Sequence, residues 1–200
     1  AFCSGADLAD GDGIGADLGD TLATYYHPLF LRLAGLDIPV VSAINGPAVG
    51  AGVALALAAD IVVMARSAYL QLGFVNIALV PDAGATWLVA KSAGRAKALE
   101  LALLGEAMSA QEAQDAGLVA RVADDDAAGE TALALARKLA QGPTRAIGMI
   151  RKQVAAALHH SLPETMSIEA ANQSAAGHSA DFQEGVVAFR EKRAPRFQGD

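Results

Sequence analysis

The segment from Val40 to Ala65 limits the choice of fold more than any other part of the chain. Val40 to Ile44 is a short apolar run suited to a buried strand, and Asn45-Gly46-Pro47 is a turn. Gly50 to Ala59 then reads as a buried helix and Ile61 to Ala65 as a second buried strand. Strand, turn, helix, strand in so few residues is an α/β pattern, and it requires that both strands be covered on two faces.

The rest of the chain is compatible with that core. Hydrophobic residues make up 53% of the 200 and charged residues 18%, which excludes a disordered chain. Aromatics are only 5%, so Ala, Leu and Val fill the interior. The longest apolar stretch, Val53 to Ala65, is broken by Asp60 and is shorter than the roughly 18 residues a membrane span needs, so a soluble protein is expected. A formal charge of −7 with no basic stripe argues against a nucleic-acid surface. The single Cys3 and the lack of a signal-like start fit a reducing compartment, with the cytoplasm expected. Ala1 to Gly5 reads as a strand running straight into a turn, so the chain is expected to be incomplete at its N-terminus.

Along the chain, Asp7 to Asp20 is a Gly/Asp-rich loop whose acids are out of register for a calcium hand. Thr21 to Leu36 has helical spacing, and Ala68 to Leu72 suits a short strand. Gly73 to Asp82 is expected to be a winding loop, followed by helices at Ala83 to Ala93 and Ala96 to Leu104. Ser109 and Glu112 have the spacing of a capping box, with Gly117 as the left-handed stop. Leu118 to Val122 is an expected strand, and a helix from the Asp124-Asp125-Asp126 turn runs to about Ala140. Beyond Gly142-Pro143 the pattern is helical, at Thr144 to His160, Pro163 to Ala175 and Asp181 to Arg190. This divides the chain into an α/β core, 1–142, and a helical region, 143–200.

Two short motifs offer free backbone N–H groups. Phe2-Cys3-Ser4-Gly5-Ala6-Asp7-Leu8 ends a strand at a Gly and exposes the next amide, that of Ala6. Asn45 to Gly52 leads small residues into a helix start at Gly50-Ala51-Gly52. Two converging donors make an oxyanion hole, each contributing about 2.7 to 4 kcal/mol to a developing negative oxygen. Taken alone, Gly50 and Gly52 serve close helix packing equally well. A dinucleotide turn is disfavoured because Leu55 stands where its third glycine belongs. Asp82, after Pro81 and before a helix, is by position either a helix N-cap or a proton-handling carboxylate. His27, His159, His160 and His178 have no metal spacing with one another or with Cys3, so no metal is expected. Arg66, Arg95, Lys97, Lys192 and Arg193 are candidates for phosphate contacts, with solvated surface charge as the default.

These motifs resemble those of the crotonase (enoyl-CoA hydratase/isomerase) superfamily. The first motif matches at Phe2 to Leu8 and the second from Ala43-Ile44-Asn45-Gly46 to Asp60-Ile61. Within the superfamily the chain most resembles the epoxyphenylacetyl-CoA isomerases of phenylacetate degradation. That likeness runs through Tyr26-His27-Pro28-Leu29, Val80-Pro81-Asp82, Gly84 to Leu88, Leu103-Leu104-Gly105 and Ala180 to Phe197. It implies a spiral of ββα turns with a C-terminal helical region that builds a homotrimer or a dimer of trimers.

It also implies an acyl-CoA thioester substrate, with coenzyme A entering as part of the substrate and no permanently bound cofactor. The carbonyl would be held by the Ala6 and Ala51 amides, and Ser4, Gly5, Ala6, Asp7, Leu8 and Gly50 would line the coenzyme A side. The two glutamates that typical hydratases use are replaced here by Ala54 and Phe74, whereas Asp82 falls on the catalytic aspartate of several isomerases and a dehalogenase. The resulting expectation is an acyl-CoA isomerase with an aspartate acid/base. The alternatives are a hydratase of the same superfamily and a catalytically silent acyl-CoA-binding protein.

Overall fold

The computed structural model describes residues 1–7 and 17–200. It divides into two compact units, one comprising Ala1–Gly35 with Val40–Leu133, the other Leu36–Pro39 with Ala134–Asp200.

In the first unit the expected strand-turn-helix-strand is present as β1 (Val41–Ile44), β2 (Ala48–Val49), α3 (Ala51–Leu57) and β3 (Ile61–Ala65), followed by β4 (Tyr69–Gln71). β1 pairs in parallel with β3, Val41 opposite Ile61 and Ile44 opposite Met64. β2 pairs in parallel with β4, Ala48 opposite Leu70. The chain thus lays one strand in each of two sheets, inserts a helix, and repeats one position further along, which is a ββα spiral. β6 (Arg121–Ala123) extends the first sheet in parallel, giving the order β1-β3-β6. β5 (Ala107–Ser109) closes the second antiparallel to β4, giving β2-β4-β5. Ile44, Val53, Val63, Met64, Leu70 and Val89 fill the interior. Two polar groups fasten it: Ser42 Oγ donates to Ala56 O at 2.9 Å, and Asp60 Oδ2 accepts from Val40 N–H at 2.7 Å.

Several boundaries differ from expectation, each for a local reason. The run expected from Thr21 to Leu36 is α1 (Leu18–Thr21), a π-helical turn (Leu22–Tyr26) and α2 (His27–Ala34). It starts inside the expected loop because the Asp17 carboxylate caps it, accepting from Gly19 N–H at 2.7 Å and Asp20 N–H at 3.2 Å. Gly73–Ile77, within the expected loop, forms a 3-10 turn. The two helices expected after Asp82 are both present within α4 (Ala85–Leu104), divided by a kink at Gly94, which is non-helical at φ 78° and ψ 170°, and the first starts at Ala85 rather than Ala83. Leu118 and Val119 do not join the sheet, since both N–H groups are taken by Ala113 O as the helix α5 (Ala110–Asp115) ends. The Ser109–Glu112 capping box and the left-handed Gly117 are both present.

α6 (Ala128–Ala140) leads into the second unit, which contains α7 (Thr144–Ala157), α8 (Leu162–Gly177) and α9 (Ala180–Glu191). The tail after α9 is tied back to it. The Asp181 carboxylate, 3% exposed, accepts from Gln198 N–H at 2.6 Å and Gly199 N–H at 2.9 Å. Arg193 grips Glu184 with two nitrogens at 2.6 and 2.8 Å. A cavity of about 380 Å³ lies between α7, α9 and the tail, lined by Met149, Phe182, Val186, Phe189 and Phe197. Among the described residues no helix is long and apolar enough to cross a membrane.

Candidate active site

The two sequence motifs are brought together by backbone hydrogen bonds. Phe2 and Cys3 N–H donate to Pro47 O at 2.9 and 3.2 Å, and Val49 N–H donates to Cys3 O at 2.9 Å. Cys3 therefore forms an isolated parallel bridge with Ala48, placing the first motif beside β2. Gly5 follows with φ 87°, where a side chain would be strained. A Cβ at Gly5 would lie 3.1 Å from Val49 O and 3.9 Å from Ala51 N, so the first turn sits against the start of α3. Gly52 makes the approach possible, because a Cβ there would overlap the Cys3 carbonyl and reach within 2.9 Å of Cys3 Cβ.

Gly50 is the N-cap of α3, with φ 57° and ψ −128°, and its N–H is used by Gln71 O at 2.9 Å. The amides of Ala6 and Ala51 make no backbone hydrogen bond among the described residues. Ser4, Ala6 and Asp7 are exposed, Gly5 is half-buried, and Leu8 lies outside the described residues. The Phe74 ring approaches this cap, 3.8 Å from where a Gly50 Cβ would stand, and Ala54 is fully buried.

Asp82 is not a helix cap. The N-cap of α4 is Gly84, which has no side-chain hydrogen bond, and Ala85 N–H is satisfied by the main-chain carbonyl of Asp82 at 2.8 Å. Two successive left-handed residues, Ala83 at φ 51° and Gly84 at φ 86°, turn the chain between carboxyl and helix. Asp82 Oδ1 is buried and has no hydrogen-bond partner among the described residues. Burial pushes the carboxyl above its ordinary value, and the His27 imidazole exerts a smaller opposing pull.

The other candidates are engaged elsewhere or exposed. Arg66 pairs with Asp124 at 3.0 Å and Lys97 with Glu100 at 2.6 Å. Arg193 is held by Glu184 and Glu191. Tyr25 is largely exposed and Tyr26 half-buried. Among the described residues no three His, Cys, Asp or Glu side chains gather as a metal site would require. The left-handed Ala83 escapes a reading by residue type, and only the Gly after it hints at a tight turn.

Alternating strands in two sheets, with the first motif seated against β2 and the start of α3, define an α/β scaffold of the crotonase type. The chain belongs to the enoyl-CoA hydratase/isomerase family, whose model matches residues 1–200. The 1,2-epoxyphenylacetyl-CoA isomerase of Escherichia coli K12 is 45% identical, over 99% of this chain and 77% of that protein. A probable enoyl-CoA hydratase of Rhodobacter capsulatus is 43% identical, over 100% and 77%. Among solved structures, the enoyl-CoA hydratase from Bacillus anthracis superposes with a TM-score of 0.94 at 32% identity, covering 100% of this chain and 78% of that one.

Proposed function

We propose that this chain is an acyl-CoA isomerase acting on an epoxy- or enoyl-type thioester, as the name of its E. coli relative suggests. In this reading the Ala6 and Ala51 N–H groups hold the thioester carbonyl and stabilise the enolate oxygen, while Asp82 removes a proton from the acyl chain and returns it elsewhere. For an epoxide the same carboxyl assists ring opening. The observation that carries the reading is the buried, unpartnered Oδ1 of Asp82, a carboxyl with no capping duty. A carboxyl in that state destabilises its own ionised form, which brings its proton affinity nearer to working pH. Ala54 and Phe74, both buried and apolar, supply no second proton-handling group.

The test is turnover of a panel of acyl-CoA thioesters by the parent and by Asp82→Asn. The variant should isomerise at least about a hundredfold more slowly, the lower end of what general acid–base catalysis supplies, with thioester affinity nearly unchanged. The stability sign is also fixed. A carboxyl raised on folding contributes stability below its unfolded value and loses it as pH rises through the folded one, so at neutral pH Asp82→Asn should melt no lower than the parent. Parent-like turnover by the folded variant would remove Asp82 from the mechanism.

Hydration of an enoyl-CoA is the second reading, favoured by the name of the 43% identical relative. It predicts loss of the crotonyl-CoA enoyl absorbance at about 10 s⁻¹ or more, a typical enzymatic rate. The isomerase reading predicts little or none. A homotrimer or dimer of trimers built by the C-terminal helices in the cytoplasm completes the proposal, supported by the exposed Ile150, Val154 and Phe189. Sedimentation of a monomer at micromolar concentration would exclude that assembly.

A further inference from the structure

Phe74, on the 3-10 turn Gly73–Ile77, is joined to both halves of the proposed site. On one side its ring Cζ stands 3.8 Å from where a Gly50 Cβ would be. Gly50 caps α3 immediately before Ala51, and its N–H is held by Gln71 O at 2.9 Å. The stretch from Gln71 to Phe74 is thus fixed to the start of α3 by a main-chain bond at one end and an aromatic ring at the other. On its far side the Phe74 carbonyl accepts the Leu79 N–H at 2.9 Å and the Ala78 N–H as well. Leu79 opens the short segment that passes through Pro81 to Asp82.

That segment depends on this anchor. Val80 is 78% exposed and Leu79 is exposed too, so the residues after the turn bury little surface of their own, whereas Phe74 is 8% exposed. Pro81 has no N–H with which to make a further bond. The turn itself is braced from behind, because Gln71 Nε2 and Asn76 Nδ2 both donate to Gly105 O, at 2.8 and 3.3 Å. A close-packed side chain set against the cap of α3, whose own carbonyl carries the way to Asp82, passes a shift at one on to the other.

We propose that Phe74 is a positioning residue, whose reach to Gly50 sets how Asp82 stands relative to the Ala51 amide. The proposal rests on the reading of Ala51 as a carbonyl donor and Asp82 as the acid–base group. Enolisation needs both together. As Asp82 takes a proton from the carbon beside the thioester, the C–H electron pair moves towards the carbonyl oxygen, where the amides receive the charge. A misplacement of about 1 Å between such groups costs about a hundredfold in rate, while the coenzyme A end of the substrate keeps its contacts.

The experiment compares Phe74→Leu with Phe74→Met. The two replacements match in volume and apolar character but not in reach, since leucine ends short of Gly50 and unbranched methionine spans most of the gap. The readout is exchange of the Cα protons of phenylacetyl-CoA for deuterium in D2O, followed by proton NMR, which asks only that a proton be removed and a deuteron returned. At saturating thioester Phe74→Leu should exchange about tenfold or more slower than the parent with KM within about twofold, and Phe74→Met should stay within about threefold of the parent. Urea midpoints of the two variants should match, so that a difference in rate between them is not a difference in stability. Parent-like exchange in Phe74→Leu, an equal fall in both variants, or a loss expressed in KM instead of kcat overturns the proposal. Failure of the underlying reading is separately visible, as a parent that exchanges no faster than buffer or as parent-like exchange in Asp82→Asn.

Discussion

Gly52→Ala tests whether the contact between the two motifs is as tight as the structure makes it. The added Cβ would overlap the Cys3 carbonyl oxygen and stand 2.9 Å from Cys3 Cβ, where ordinary contact begins at 3.4 Å. The first-motif strand and α3 must separate by at least about half an ångström, and the atom pushed is backbone, which has no rotamer to yield. The same Cys3 oxygen accepts the Val49 N–H at 2.9 Å, so the displacement weakens that bond as well. Overpacking costs about 1 to 3 kcal/mol and a lost hydrogen bond about 0.5 to 1.5. The sum, about 1.5 to 4.5 kcal/mol, is a large fraction of the roughly 5 to 15 that holds a domain folded. Urea unfolding should show a lower midpoint at unchanged slope. Turnover of any thioester the parent uses should fall by up to about a hundredfold, because a displacement approaching 1 Å separates the Ala6 and Ala51 amides. A midpoint within error of the parent would refute the packing argument, and a stable variant with full activity would show that the two amides do not act as a pair.

Gly105→Ala should also destabilise, by about 1 to 3 kcal/mol in the same assay, since φ is 62° and a Cβ would stand 2.7 Å from Asn76 Oδ1 and 2.8 Å from Val75 Cγ1. Arg193 and the Arg196 N–H hold the Glu184 carboxyl at about 2, well below the usual carboxylate range. A depressed carboxyl contributes stability above its unfolded value and loses it as pH falls through the folded one, so the stability advantage of the parent over Glu184→Gln should shrink between about pH 4.5 and pH 2. A constant difference across that window would mean the Arg193 grip is idle.

The parts of the fold legible in the sequence are those decided by neighbours along the chain. The apolar runs of β1, α3 and β3, the Ser109 capping box and the left-handed Gly117 each depend on a few adjacent residues. β5 was not legible because Ala107-Met108-Ser109 becomes a strand only by pairing with Tyr69 to Gln71. Leu118 and Val119 look like strand residues, but Ala113 takes their N–H groups first. At the site, Gly5, Gly50 and Gly52 announced close backbone approach, whereas their partners were hidden. Asp82 carried two readings that no local pattern separates, because capping depends on which residue ends up at the helix start, and that residue is Gly84.

The Asp82 turn shows what the fold concedes to keep that carboxyl uncapped. Had α4 begun one residue after Asp82, the carboxylate would have gained cap hydrogen bonds worth about 0.5 to 2 kcal/mol. The chain instead places Ala83, a residue with a Cβ, at φ 51°, a conformation costing on the order of 1 to 3 kcal/mol. Such strain persists only where surroundings enforce it, and here Ala83, Ala85 and Val89 are all buried. Both choices lower stability, and both leave Asp82 Oδ1 buried and without a partner. A carboxyl left buried and uncapped, at the cost of a left-handed Ala83, is what the proposed acid–base role of Asp82 requires.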